Sequence, residues 1–151
     1  MNALFELTIA SRKLMLPYLE NYTLEQLNKI PDGFTNNLFW NIAHSVVVQQ
    51  LLTYKLSGLP MQVSDDMIAL YKKGTKPEQT ATQEEVDNVK EMLFTTIAQT
   101  KTDYENNIFQ NFIEYPTSAG FTLRSVEDAM KFNAFHEGLH LGVMMSIKKM
   151  L

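Results

Sequence analysis

Apolar residues recur at the three- and four-residue spacing of amphipathic helices along most of this 151-residue chain. This periodicity is the strongest constraint on the fold, because each amphipathic helix has to bury one face against another element. Four long segments carry the pattern, and they cover about residues 2–20, 38–57, 82–106 and 123–151. Four such helices in one short chain predict an all-α protein built as a four-helix bundle.

Local signals predict where these helices begin and end. Asn36-Asn37 can cap the second long helix, and Thr82-Gln83-Glu84-Glu85 is a capping box that opens the third. Pro17 is expected to kink the first helix or to end its regular hydrogen bonding, since proline has no backbone donor. A shorter helix is predicted over residues 64–73, ending at Gly74.

The segments between the long helices bear on topology and domain organisation. Residues 58–82 are long enough to cross the bundle, so a simple up-down-up-down order is not required. Residues 108–123 contain Pro116, Gly120 and alternating apolar side chains, which predict an extended or loop connection. A chain of this length buries about 70% of the surface that it exposes when unfolded. We therefore expect one domain, residues 1–151, with one core.

Charge and composition exclude several classes of function. The formal net charge is −4, with 13 Lys and Arg against 17 Asp and Glu, and no basic face is available for nucleic-acid phosphates. No segment approaches the roughly 18 uninterrupted apolar residues of a membrane span, and the N-terminus is a poor signal peptide. We expect a cytoplasmic protein with no nucleic-acid and no membrane partner. The chain has no cysteine, so a metal site has to use His, Asp and Glu.

The chain has three histidines, and all three lie on predicted inward faces. His44 follows Trp40 on the apolar stripe of the second long helix. His136 and His140 are four residues apart on the last helix, so their side chains reach the same point. Buried imidazoles packed side by side need protons, hydrogen-bond partners or a metal. A metal site between facing helices and a set of hydrogen-bonded core histidines both fit this pattern.

Residues 136–140, His-Glu-Gly-Leu-His, also match the H-E-x-x-H signature of helical zinc proteases. Such a protease needs a third zinc ligand. The metzincin extension would place it at position 146 after a glycine at 143, where this chain has Ser146 and Val143. No His, Asp, Glu or Cys follows His140, which excludes a downstream glutamate as well. The protease hypothesis fails, and His44 is the one histidine left to complete a site.

Several segments resemble the DinB superfamily in their order and spacing, and the resemblance covers essentially the whole chain. The segment at 24–50 holds a Leu-x-x-Ile-Pro turn before a Trp-x-x-x-His helix, and the segment at 125–150 holds an H-x-x-x-H pair. The segments are LEQLNKIPDGFTNNLFWNIAHSVVVQQ at 24–50, LYKKGTKP at 70–77 and SVEDAMKFNAFHEGLHLGVMMSIKKM at 125–150.

The resemblance implies a DinB-like four-helix bundle with a long crossover connection, a homodimer, and a divalent metal ion held by His44, His136 and His140. Many members have a glutamine at the position of Val143, so any polar contact of that glutamine is absent here. Members with known chemistry are thiol-dependent enzymes, namely transferases for low-molecular-weight thiols and a mycothiol-dependent isomerase. The resemblance does not imply DNA binding.

Three neutral imidazoles leave at least one coordination position open, as in catalytic sites. Zn²⁺ would suit a tetrahedral arrangement, whereas Ni²⁺, Fe²⁺ or Mn²⁺ would accept more ligands from water or substrate. We expect a metal-dependent transferase, similar to thiol S-transferases, or a hydrolase acting on a small molecule. A low-molecular-weight thiol would have to come as substrate, because the chain has no cysteine. The alternative is a non-catalytic dimeric helical module that binds a metal or another ligand.

Other residues near the histidines are candidates for supporting roles. Glu137 could act as a catalytic base, as the glutamate of the zinc-protease signature does, or it could be a solvent-facing or ligand-supporting carboxylate. Asn41 and Asn133 each lie one turn before a histidine and could orient it, line a pocket or lie at the bundle edge. Trp40 and Phe135 could form a substrate platform or simply pack.

Overall fold

The computed structural model describes residues 1–151 and confirms the all-α prediction. Four long helices form a bundle, and two short helices lie in the connections. The helices are α1 (Asn2–Asn21), α2 (Leu24–Asn28), α3 (Leu38–Thr53), α4 (Asp65–Tyr71), α5 (Gln83–Glu105) and α6 (Val126–Ile147). Short 3₁₀ turns follow α3 at Lys55–Ser57 and α6 at Lys148–Met150.

The long helices are not arranged in chain order. α1 and α3 each pack against both α5 and α6, whereas α1 and α3 touch only slightly. Consecutive long helices α1 and α3 therefore lie at opposite corners, and so do α5 and α6. The connections that cross the bundle are residues 22–37 and 106–125. Residues 58–82, which are long enough to cross, join the neighbours α3 and α5 instead, and helix α4 within them packs on α3.

Side-chain caps fix the helix ends close to their predicted positions. The Asn37 side chain accepts a hydrogen bond from the Trp40 amide, and the capping box between Thr82 and Glu85 is present. The last helix begins at Val126 rather than at 123, because Ser125 caps it. The first helix continues through Pro17 to Asn21, close to its predicted end at about residue 20.

The connection before α6 contains a small antiparallel hairpin. Its strands are β1 (Tyr115–Pro116) and β2 (Thr122–Leu123), and Tyr115 pairs with Leu123. The Thr117 hydroxyl donates to the Phe121 carbonyl at 2.6 Å and closes the turn, in which Gly120 has a φ of 78°. The predicted extended connection is thus a short hairpin, and it lies over one end of α3.

Helix α3 is the centre of the core. All of its residues are buried except Leu51, because α2, α4, α5 and α6 all pack around it. Its side chains Leu38, Ile42 and Val46 meet Leu93 of α5 and Met144 of α6 in the main hydrophobic cluster. A helix that is covered on every side needs few polar residues. Asn41 and His44 are nevertheless buried on α3, and both belong to the site described below. None of the helices has the length and apolar character needed to cross a membrane.

Candidate metal centre

The three histidines meet where α3 and α6 pack together. Nε2 of His136 lies 3.3 Å from Nε2 of His44 and 3.2 Å from Nε2 of His140. One ring nitrogen from each residue falls within 4.8 Å of the other two. His44 is fully buried, and the other two rings are partly exposed. His136 and His140 therefore reach the same point, as their four-residue spacing predicts, and His44 meets them there.

The outer nitrogens of two rings are held by oxygen acceptors. Nδ1 of His44 donates to the backbone carbonyl of Tyr71 at 2.6 Å, and Nδ1 of His140 donates to Oδ1 of Asn41 at 2.7 Å. A carbonyl oxygen can only accept a hydrogen bond, so the Nδ1 atom of each of these two rings carries the hydrogen. The Nε2 atom of each ring therefore presents a lone pair. Hydrogen bonds of this kind fix the tautomer and orientation of metal-binding histidines.

The spacing of the nitrogens fits a metal ion. Two nitrogens bound at about 2.0–2.1 Å to a tetrahedral Zn²⁺ are about 3.3 Å apart, which is the spacing seen at His136. Without a cation, the lone pairs of His44 and His140 would face a third nitrogen that can donate only one hydrogen. These three histidines could therefore hold a divalent ion.

Burial keeps the rings neutral. It lowers the pKa of His44, although the bond to the Tyr71 carbonyl works in the opposite direction. Burial and the nearby His44 ring lower the pKa of His136 to about 4. Burial, with the rings of His136 and His44, lowers the pKa of His140 to about 3. Neutral imidazole is the form that binds metal, so all three rings are available as ligands near pH 7.

Aromatic rings surround the histidines. Trp40 stacks on His44 with ring centroids 4.4 Å apart and an interplanar angle of 15°, and its Nε1 donates to Thr75. Phe132 lies 6.4 Å from His136 in a nearly parallel arrangement. Trp40 thus lies against a candidate ligand, whereas Phe135 points outward and is 53% exposed.

The two asparagines have different surroundings. Asn41 binds His140 through Oδ1, and its Nδ2 donates to the Asn37 carbonyl at 2.7 Å, so the acceptor is held in place. Asn133 donates to Oε1 of Glu137 at 2.9 Å and has no hydrogen bond to a histidine. Of the two, only Asn41 orients a candidate metal ligand.

Glu137 lies in the bundle core and is fully buried. Its Oε1 accepts from Nε and Nη2 of Arg12 on α1, at 3.2 and 3.1 Å, and from Asn133. The solvent-facing alternative for Glu137 is therefore wrong, and its hydrogen bonds lead to Arg12 rather than to the histidines. The role of catalytic base remains a prediction that these contacts do not support.

A cavity of about 450 Å³ opens beside the three histidines. This volume lies within the range typical of small-molecule sites. Its walls come from α3 and the turn that follows it, the connection after α4, the hairpin, and α6. The lining includes Trp40, Val48, Leu51, Leu52 and Phe132, together with Tyr115, Thr117 and Ser118. The histidines are thus accessible to a ligand.

Several of these residues were not identified from the sequence. The Tyr71 carbonyl is a backbone group, so no residue type marks it. Tyr115 lines the cavity, whereas Arg124 lines a different cavity. Arg12 could have been recognised from the sequence as a buried residue, because it lies on the same helical face as Thr8 and Met15, which are buried. A charged residue on an apolar stripe indicates a buried partner.

The fold and site together define a helical-bundle protein with a candidate three-histidine metal centre. A family model described as the DinB superfamily matches residues 7–144. The chain therefore belongs to the DinB superfamily. No curated protein matches the chain.

Proposed function

We propose that this chain is a divalent-metal enzyme that acts on a small molecule, either as an S-transferase for a low-molecular-weight thiol or as a hydrolase. The observation that carries the proposal is the convergence of three neutral Nε2 atoms at the wall of a cavity of about 450 Å³. Three protein ligands with an accessible fourth position are typical of catalytic rather than structural metal sites.

The residues around the centre have separate roles in this proposal. The Tyr71 carbonyl and Asn41 orient the rings of His44 and His140. Trp40 and Phe132 shield the rings from bulk water on two sides. A bound divalent ion would supply Lewis acidity, which stabilises a substrate thiolate or lowers the pKa of bound water to about 7. A thiol nucleophile has to come from the substrate, because the chain has no cysteine.

Metal content tests the proposal directly. Untagged protein is incubated in turn with Zn²⁺, Ni²⁺, Fe²⁺ and Mn²⁺, and bound metal is measured by mass spectrometry. We expect near-stoichiometric metal in the wild type and its loss in His44→Ala and in His140→Ala. Asn133→Ala is the control, because Asn133 is also a buried polar residue on α6 but binds Glu137 rather than a histidine. Unchanged metal content in the histidine variants would contradict the proposal.

Catalysis needs a second measurement. In Co²⁺-loaded protein, a thiol that binds the metal produces a sulfur-to-cobalt charge-transfer band in the near ultraviolet. We expect small thiols to produce this band and metal-loaded protein to turn over thiol conjugates or hydrolysable esters. A metal that no added thiol perturbs, in a protein without turnover, would favour the non-catalytic module.

Exposed apolar side chains on the neighbouring helices α1 and α6 favour the dimer that both functional alternatives include. Leu7 and Leu14 on α1, and Phe135 and Leu139 on α6, are each more than half exposed, and α1 packs against α6. Large exposed apolar patches are typical of protein interfaces. We propose that a second copy of the chain covers this surface. Light scattering should give a dimer mass for the wild type and a monomer mass for Leu139→Glu, with Ile113→Glu, on the segment before the hairpin, as control.

A further inference from the structure

The cavity beside the histidines is positively charged in a chain that is negative as a whole. Two lysines, Lys55 and Lys73, line it, and no aspartate or glutamate does. Neither lysine belongs to an ion pair. Because the chain carries a formal net charge of −4, two ammonium groups on a wall without carboxylates are a local exception. Their charge is available to a ligand.

The lysines lie at different places along the cavity. Lys55 follows His44 by about 16 Å along the axis of α3 and the turn after it, at about 1.5 Å per residue. The wall between them is apolar, with Val48 and Leu52 from α3 and Phe132 from α6. Lys73 comes from another side, just after Tyr71, whose carbonyl binds the His44 ring. A lysine can lay its apolar stem along such a wall and keep its charged end at the opening.

We propose that the ligand of this cavity is a small amphipathic carboxylate. Its metal-binding atom lies at the histidines, its apolar segment lies against Val48, Leu52 and Phe132, and its carboxylate interacts with the charges of both Lys55 and Lys73. This inference rests on the proposed function, because it places metal and substrate in the same cavity. It adds the chemical class of the substrate and two residues that determine specificity.

The size of the effect follows from the exposure of the lysines. Both are exposed, so water and salt weaken each contact with a carboxylate. Ion pairs of this kind change affinity by up to about fivefold each. The contribution falls further as ionic strength rises.

The test compares two probes of equal length, ω-mercaptohexanoate and ω-mercaptohexanol, on full-length protein loaded with Zn²⁺. Calorimetric titration should show that the acid binds several-fold more tightly than the alcohol, with a difference that shrinks at high salt. Lys55→Gln and Lys73→Gln should each weaken binding of the acid by up to about fivefold and leave binding of the alcohol unchanged. Lys72→Gln is the matched control, because Lys72 is also exposed and adjacent in sequence but does not line the cavity.

The outcomes separate this inference from the proposed function. Equal affinity for acid and alcohol, or an equal loss in Lys72→Gln, would overturn the inference and leave metal-dependent thiol binding in place. Failure of both probes to bind protein that holds stoichiometric zinc would overturn the inference and count against thiol chemistry at this centre.

Discussion

Arg12 and Glu137 form an ion pair in the middle of the bundle, with Nη2 of the arginine 3.1 Å from Oε1 of the glutamate and both side chains fully shielded from solvent. Nη1 of Arg12 also donates to the carbonyl of Leu93 and to the hydroxyl of Thr96 on α5. One guanidinium therefore connects α1, α5 and α6. Because Glu137 is adjacent to His136, this connection also fixes α6 at the level of the candidate metal centre.

Removing one partner of this pair should strongly destabilise the protein. Arg12→Met leaves a buried carboxylate without its counter-ion, and we expect a loss of about 3–5 kcal/mol in the free energy of unfolding. The double variant Arg12→Met/Glu137→Met should recover much of that loss, since an apolar pair needs no charge compensation. Chemical denaturation of the three proteins provides the measurement.

The exposed pair Lys90 and Glu20 serves as control. Its atoms are 2.8 Å apart, but each side chain is about two-fifths exposed, so Lys90→Met should change stability by less than about 1 kcal/mol. Similar losses for Lys90→Met and Arg12→Met would show that burial does not determine the effect.

Asn41 should control metal affinity without binding the metal. Its Oδ1 accepts the Nδ1 hydrogen of His140, and loss of such a partner typically weakens metal affinity about 10–100-fold. We expect this loss in Asn41→Leu, measured by competition with a chelator of known affinity. Asn41→Asp keeps an acceptor oxygen for His140 but loses the donor to the Asn37 carbonyl, so it should lose less affinity than Asn41→Leu. Equal weakening in both variants would indicate a packing effect instead of an oriented ring.

The fold was largely predictable because helix periodicity and capping act locally. Asn37 and Thr82 cap the helices that they were expected to cap, since each cap involves only neighbours in sequence. The arrangement of the helices in the bundle was harder to predict from the sequence. Residues 58–82 are long enough to cross the bundle, but length alone does not determine which faces meet, and those residues join neighbouring helices.

The candidate site was predictable where a residue type carries the chemistry. His44, His136 and His140 stand out because they are the only histidines in the chain and lie on inward faces. The Tyr71 carbonyl could not be found in that way, because every residue has one. Contacts of Glu137 with Arg12 depend on packing between helices that are far apart in sequence. Residue type and spacing therefore indicated the ligands, whereas the surrounding contacts required the structure.

Trp40 should report metal binding by fluorescence. It is the only tryptophan in the chain, and its ring stacks on His44 with centroids 4.4 Å apart. A paramagnetic ion such as Ni²⁺ or Co²⁺ at the histidines would quench its emission at this short range. We expect saturable quenching with one equivalent of metal in the wild type and none in His136→Ala, which leaves the Trp40–His44 stack in place. Quenching of equal size in that variant would indicate metal binding elsewhere.

The metal-free protein should lose stability as the pH falls below about 6.5. The pKa of His136 is about 4 and that of His140 about 3 in the folded chain, against about 6.5 in an unfolded chain. Between these values the unfolded state binds protons that the folded state does not, so the free energy of unfolding rises with pH across this window. Above pH 6.5 both states are neutral at these rings and the contribution vanishes.

Denaturation in the presence of a chelator at pH 7 and pH 5 tests this pH dependence. We expect a difference on the order of a few kcal/mol, and a smaller one in His136→Asn/His140→Asn, which has lost two of the groups that titrate. The carboxylates change little in this interval because their ordinary pKa values lie near 4. An identical difference in both proteins would show that groups other than these histidines cause the acid sensitivity. The sign of the effect also favours metal binding, because rings that remain neutral down to about pH 4 do not have to lose a proton when they bind an ion at pH 7.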